Sequence, residues 1–302
     1  MLRTIQALRG LSFEALPADL RRTIYCQPWV HLRGQDGDDL WVTRHGWRHL
    51  EAIVPATWYD RHAYSQVGTR LPHSTGTVYR MPTPSFDLVV KFSRVALDPL
   101  LHHAEAVGIS RQDADRAEFL GPFEELSMVM EVRQGWYGPR DLHIAAPWPL
   151  AVYSPAKRYP AWRLGRSDSR WQRHIAGLAA DQASEAEERR VHLAEDRDYI
   201  TLHHWLRGED AYRCVRQGWL APAEAEAELA LASADLAAKG FRVLDMKVHH
   251  LILRPDSGGR LRRRRDGRLL HGVIDFELLE RLPAYCQALS RGQSNNPPPR
   301  LA

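Results

Sequence analysis

The chain has 302 residues, of which 44% are hydrophobic and 26% charged, with a formal net charge of +4. That is enough apolar material for a buried core in one large or two modest domains. No run of about 18 apolar residues occurs, so no membrane span is expected. The start, Met1-Leu2-Arg3-Thr4-Ile5, lacks the apolar core of a secretory signal.

Three well-separated cysteines, Cys26, Cys214 and Cys286, have no metal-ligand spacing, and their odd number argues against a disulfide framework. A cytoplasmic, reducing location is the expectation. Only Lys91, Lys157, Lys239 and Lys247 are lysines among 41 basic residues. Where arginine is the default cation, a lysine tends to mark a place that needs a compact ammonium.

Residues 1–62 read as a leader, with a short helix over Phe13 to Arg22 and a strand at Leu40 to Thr43. From about Tyr64 an antiparallel meander follows: Thr69 to Leu71, Thr77 to Met81 and Leu88 to Phe92, separated by turn-rich pieces. Phe123, Leu126, Val129 and Met130 recur at helical spacing and predict a helix over Pro122 to Arg133, with Gly135 as its stop. Pro149 to Tyr153 reads as a strand. A polar insert over about 155–197 contains an expected helix from Gln182 to Ala194, and Tyr199 to Leu202 resumes strand character.

A helix over Pro222 to Ala238, capped by Gly240, leads to strands at Phe241 to Leu244, Leu251 to Arg254 and Leu269 to Phe276. Residues from Ser290 are rich in Pro, Asn and Ser, as in a flexible tail.

Three separated pieces carry chemistry. The first, Leu88-Val89-Val90-Lys91-Phe92, sets a lysine in an apolar strand. That is costly unless the ammonium meets an anion; on an edge strand it would face solvent instead. The second, Asp245-Met246-Lys247-Val248-His249-His250-Leu251-Ile252-Leu253, follows a helix and precedes an aliphatic strand. The third, Gly272-Val273-Ile274-Asp275-Phe276-Glu277, ends a strand on a carboxylate.

In this order the pieces resemble the protein-kinase-like superfamily, over about Tyr64 to Glu280. The second resembles the catalytic loop, with His250 at the usual asparagine position. The third resembles the metal-binding Asp-Phe-Gly segment, with Glu277 for glycine. The resemblance implies an α+β, two-lobed fold with an antiparallel-sheet N-lobe over 63–205 and a reduced helical C-lobe over 206–290. The leader 1–62 and the tail 291–302 flank it. It is similar to minimal and atypical kinases, including bacterial lipopolysaccharide and sugar kinases, since no activation segment or Ala-Pro-Glu anchor is visible after Asp275.

By this resemblance ATP and Mg²⁺ or Mn²⁺ are the cofactors. Lys91 touches the phosphates, held by Glu125, with Glu124 and Glu118 as further candidates. Asp275 chelates the metal and His250 joins it, an imidazole suiting Mn²⁺ better than Mg²⁺. Asp245 orients and deprotonates a hydroxyl-bearing acceptor, and Lys247 offsets charge on the moving group. Gly76 and Thr77 belong to a turn whose amides could face phosphate, or to an ordinary hairpin turn.

The implied activity is transfer of the γ-phosphoryl group to a protein or small-molecule hydroxyl. A pseudokinase is the alternative, favoured by His250, Glu277 and the missing glycine-rich loop. A basic nucleic-acid-binding protein is a second alternative, resting on Arg260-Leu261-Arg262-Arg263-Arg264-Arg265; a solvated hairpin tip is the reading preferred for that run.

Overall fold

Valine, isoleucine, threonine and aromatic side chains suit a pleated, half-buried surface, and the segments rich in them become strands. In the computed structural model, which describes residues 2–71, 76–99, 110–181 and 191–291, eight strands form one sheet. They are β1 (Arg21–Ile24), β2 (Gln27–Arg33), β3 (Asp39–Thr43), β4 (Thr69–Arg70), β5 (Val78–Pro82), β6 (Asp87–Phe92), β7 (Pro149–Ser154) and β8 (Ile200–His204). Their order is β1-β2-β3-β7-β8-β6-β5-β4, and every pairing is antiparallel. The protein is α+β with a large antiparallel sheet.

The chain divides into two compact units. The first holds residues 1–98, 118–127 and 148–205; the second holds 99–117, 128–147 and 206–302. Helix Pro122–Gln134 gives its residues through Ser127 to the first unit and the rest to the second.

The first unit contains the whole eight-stranded sheet, so residues 1–62 supply three of its strands. Its core includes Trp29, Leu40, Val42, Leu88, Val90, Leu150, Ile200 and Leu202, all out of contact with water. The helix expected over Phe13 to Arg22 is instead two single 3₁₀ turns, Phe13–Ala15 and Ala18–Leu20, followed by β1. Pro17 lies between the two turns and starts the second, and a proline inside a longer helix would remove a hydrogen bond and clash with the preceding turn.

The tight β1–β2 hairpin turns on Tyr25 (φ 48°) and Cys26 (φ 57°), both left-handed. Two-residue turns of this hand normally use Asn and Gly. The two ends of the 155–197 insert are stapled by Arg197. Its guanidinium donates to Asp39 Oδ2 at 2.7 Å and to the carbonyls of Pro155, Ser154 and Gly37. The insert's helix is Asp168–Asp181, ahead of the expected Gln182 to Ala194; residues 182–190 lie outside the described residues, and 191–194 are not helical.

The second unit contains two small sheets. β10 (Phe241–Val243) pairs with β13 (Leu279–Arg281), and β12 (His271–Val273), β11 (Leu251–Leu253) and β9 (Glu209–Asp210) form the other. Helix Pro222–Ala238 begins with proline at its first position, and Glu224 accepts from the Ala221 N–H at 3.1 Å. It ends at Lys239 and Gly240, whose φ of 83° only glycine adopts cheaply.

Lys239 is buried, and its ammonium donates to the carbonyls of Gly135 (2.9 Å), Tyr137 (3.0 Å) and Pro139 (2.5 Å). Those carbonyls follow the end of helix Pro122–Gln134, where a cation is favoured. Glu131, from the same helix, receives hydrogen bonds from Arg281 and from Tyr285 of helix Pro283–Ser290.

Candidate functional site

Lys91 lies in β6, which is an interior strand. Its neighbours across the ladder are Val78 of β5 and Thr201 of β8. The alternative of an edge lysine pointing at water is excluded: Lys91 is only 8% exposed. Its ammonium donates to Glu125 Oε1 at 2.9 Å, across 34 residues of sequence. Glu125, in the first turn of helix Pro122–Gln134, is 4% exposed.

The other glutamates serve elsewhere. Glu124 accepts from the backbone N–H of Gly121 at 3.4 Å, and Glu118 pairs with Arg173 at 3.0 Å. Removing both ions from water is expensive, and well-packed apolar residues would serve stability as well. Stability alone therefore does not account for a buried pair of this kind.

Gly76 and Thr77 lie beside the same strand. The Thr77 carbonyl accepts from the Phe92 N–H at 3.0 Å, which carries the register of β5 and β6 to the residue after Lys91. Residues 72–75 of that turn lie outside the described residues. Arg94, not singled out from sequence, runs its aliphatic stem under Gly76, and its guanidinium sits 4.0 Å over the Phe119 ring. In a chain with 41 basic residues no local pattern distinguishes it.

In the second unit, two segments run between the same two strand pairs. Residues 244–250 connect β10 to β11, and residues 274–278 connect β12 to β13. Because β10 pairs with β13 and β11 with β12, both segments are pinned at both ends. Backbone bonds tie them together: Leu244 N–H to the Leu278 carbonyl at 3.0 Å, and Ile274 N–H to the His250 carbonyl at 2.9 Å. This topology brings Asp275 beside His250, with His250 Nε2 3.5 Å from Asp275 Oδ2.

Asp275 adopts φ 63°, a left-handed conformation uncommon for a residue other than glycine. The expected strand Leu269 to Phe276 accordingly narrows to His271–Val273. Such backbone outliers concentrate where function holds them in place.

Asp245 is held by Lys247, whose ammonium lies 2.6 Å from Asp245 Oδ2. His249 turns away, with its ring 4.3 Å from Tyr212 and Nδ1 3.7 Å from Asp210.

The donor set at Asp275 fits a divalent ion in type. A carboxylate oxygen and an imidazole nitrogen converge there. Among the described residues no three His, Cys, Asp or Glu side chains gather to hold a metal unaided. Mg²⁺ is commonly held by one or two carboxylates, with water and phosphate oxygens completing its shell, so Asp275 suits it, whereas the His250 imidazole suits Mn²⁺ better.

No family model matches the chain, and no curated protein does. Among solved structures it is similar to "WaaP in complex with acyl carrier protein", with 12% identity, 80% of this chain and 76% of that one covered, and a TM-score of 0.35. It is also similar to "Rad53 1-466 in complex with AMP-PNP", with 11% identity, 83% and 61% covered, and a TM-score of 0.29. Among the described residues no helix is long and apolar enough to cross a membrane.

Proposed function

We propose that the chain is an atypical, two-lobed protein-kinase-like phosphotransferase that binds ATP with Mg²⁺ or Mn²⁺ and acts on a hydroxyl. The observation that carries this reading is the buried Lys91–Glu125 pair on an interior strand. A lysine held at a fixed point by a carboxylate is what a cradle for phosphate oxygens needs. Glu125 keeps the ammonium in place, and the backbone around Gly76 and Thr77 adds N–H donors.

Asp275 and His250 are the metal ligands in this reading. The ion, when bound, neutralises charge on the phosphates. Asp245 accepts the proton of the attacking hydroxyl, and Lys247 offsets charge as the phosphoryl group moves.

A second reading, nucleotide binding without turnover, has its own support. The Lys247 ammonium lies 2.6 Å from Asp245 Oδ2, so one of the two carboxylate oxygens that would receive the hydroxyl is already engaged by a cation.

The experiment uses γ-labelled ATP with either metal, beside Lys91→Ala and Asp275→Ala. Label transfer or ATP hydrolysis by the native chain, lost in both variants, is the expected result. Thermal stabilisation by ATP without transfer selects the second reading. Absence of any nucleotide effect overturns both.

A further inference from the structure

Residues 254–270 join β11 to β12, and the sequence reading of their arginines is a solvated hairpin tip. The structure gives them more order than that. The Asp256 N–H bonds to the Arg260 carbonyl and Arg262 N–H to the Arg254 carbonyl, both at 2.9 Å. Arg264 N–H bonds to the Arg268 carbonyl at 2.7 Å and Leu270 N–H to the Arg262 carbonyl at 2.9 Å. Antiparallel bridges join Pro255 to Leu261 and Arg263 to Leu269. The segment is therefore a three-stranded ribbon with residues 260–264 in its middle.

Strand alternation assigns the side chains to faces. Arg254, Arg260, Arg262, Arg264 and Arg268 share one face, with Asp256 and Leu270; Pro255, Leu261, Arg263 and Leu269 share the other. In the ladder Arg254 stands opposite Arg262, and Arg264 opposite Arg268. Like charges directly opposite each other destabilise a sheet.

Arg260 is neutralised by Asp256 at 3.3 Å and Arg268 by Asp235 at 2.6 Å. Arg254, Arg262 and Arg264 have no carboxylate partner among the described residues. The ribbon is also braced. Its Gly259 lies so close to the Trp219 indole that a Cβ there would meet ring atoms at 2.3 Å. At its base His271 Nδ1 bonds to Glu228 Oε1 at 2.6 Å, both buried. A braced sheet face with uncompensated, opposed guanidinium groups is matched by an external polyanion.

We propose that this ribbon docks on the sugar–phosphate backbone of a nucleic acid. One feature selects that partner over an anionic lipid surface. The exposed large apolar side chains among the described residues include none from 254–270, so the ribbon has no wedge to sink into a bilayer. The inference is independent of the phosphotransferase reading, because it uses none of that site's residues.

The test is fluorescence anisotropy of a labelled mixed-sequence duplex and a single strand, titrated with the whole chain over a series of salt concentrations. Binding should be insensitive to sequence and fall steeply with salt. R254Q/R262Q/R264Q should weaken it about tenfold or more and lower the slope of log K against log salt by about 2 to 3, near 0.9 per phosphate contact. R254K/R262K/R264K should retain the slope. R21Q/R48Q/R61Q, which removes the same charge elsewhere, should retain both affinity and slope.

Failure to bind either oligonucleotide overturns the proposal. So does equal loss in the R21Q/R48Q/R61Q control, or loss of slope in the lysine variant. Binding of phosphatidylserine vesicles through the three arginines, with the oligonucleotides ignored, overturns it in favour of a membrane surface.

Discussion

Two of the four lysines are buried, and each unit holds one. Lys91 meets a carboxylate side chain, Glu125; Lys239 meets three backbone carbonyls. Both satisfy an ammonium away from water, but the means differ. The carbonyls around Lys239 stand just beyond a helix that needs a cation at its end, so this lysine closes a loop and has no donor to spare. The pairing of Lys91 with Glu125 does nothing for the backbone. It fixes one charge with another, at a cost that apolar residues would avoid. Burial of a lysine is thus no sign of chemistry by itself; the identity of the partner is what separates a cap from a site.

The largest expected effect tests that separation. Lys91→Met leaves Glu125 buried without its partner and should cost about 3 to 5 kcal/mol in urea unfolding. Lys91→Met with Glu125→Leu should recover most of that stability while nucleotide-dependent thermal stabilisation stays absent. Recovery of both would end the reading of Lys91 as a phosphate ligand. Lys239→Met should cost about 1 to 3 kcal/mol. No single side-chain change at a partner can rescue it, since its acceptors are backbone, and nucleotide stabilisation should persist.

A third effect follows from Asp39, where Arg197 staples the insert. Burial opposes ionisation of Asp39, but hydrogen bonds from His31 and Arg197 outweigh it and hold the carboxyl at about 2 instead of 3.8. A depressed folded value means the unfolded chain binds the proton first. The stabilisation, about 2 kcal/mol, is therefore present above about pH 4 and lost as the pH falls toward 2. Asp39→Asn should lower stability at neutral pH and flatten that acid limb in pH-dependent unfolding.

The smallest effect is at the β1–β2 turn. Cys26→Gly should raise stability by about 0.5 to 1 kcal/mol, by relieving a left-handed conformation that a Cβ disfavours. An unchanged or lower melting temperature would contradict that account.

Local patterning was legible where short-range physics decides. Helix Pro222–Ala238 and its Gly240 stop stand where an Ala-, Glu- and Leu-rich composition and glycine punctuation place them, and β6 and β11 each lie within about a residue of their predicted spans. The strands of residues 1–62 were mostly not legible. β1 is stabilised by partners in the sheet, not by its own Arg-Arg-Thr-Ile sequence, and β-strand preference depends on those neighbours.

The sequence alone determined which residue types were on hand: a scarce lysine in an apolar strand, two aspartates flanking short strands, and a cluster of arginines. The tertiary structure decided what each of them meets. Glu125 and Glu124 are adjacent and chemically identical, and only the pose of their helix turns one toward Lys91 and the other back to Gly121. His250 and Asp275 lie in separate segments, and only the pairing of β11 with β12 makes them neighbours. Contacts between side chains far apart in sequence depend on how elements pack, and local composition carries no record of that packing.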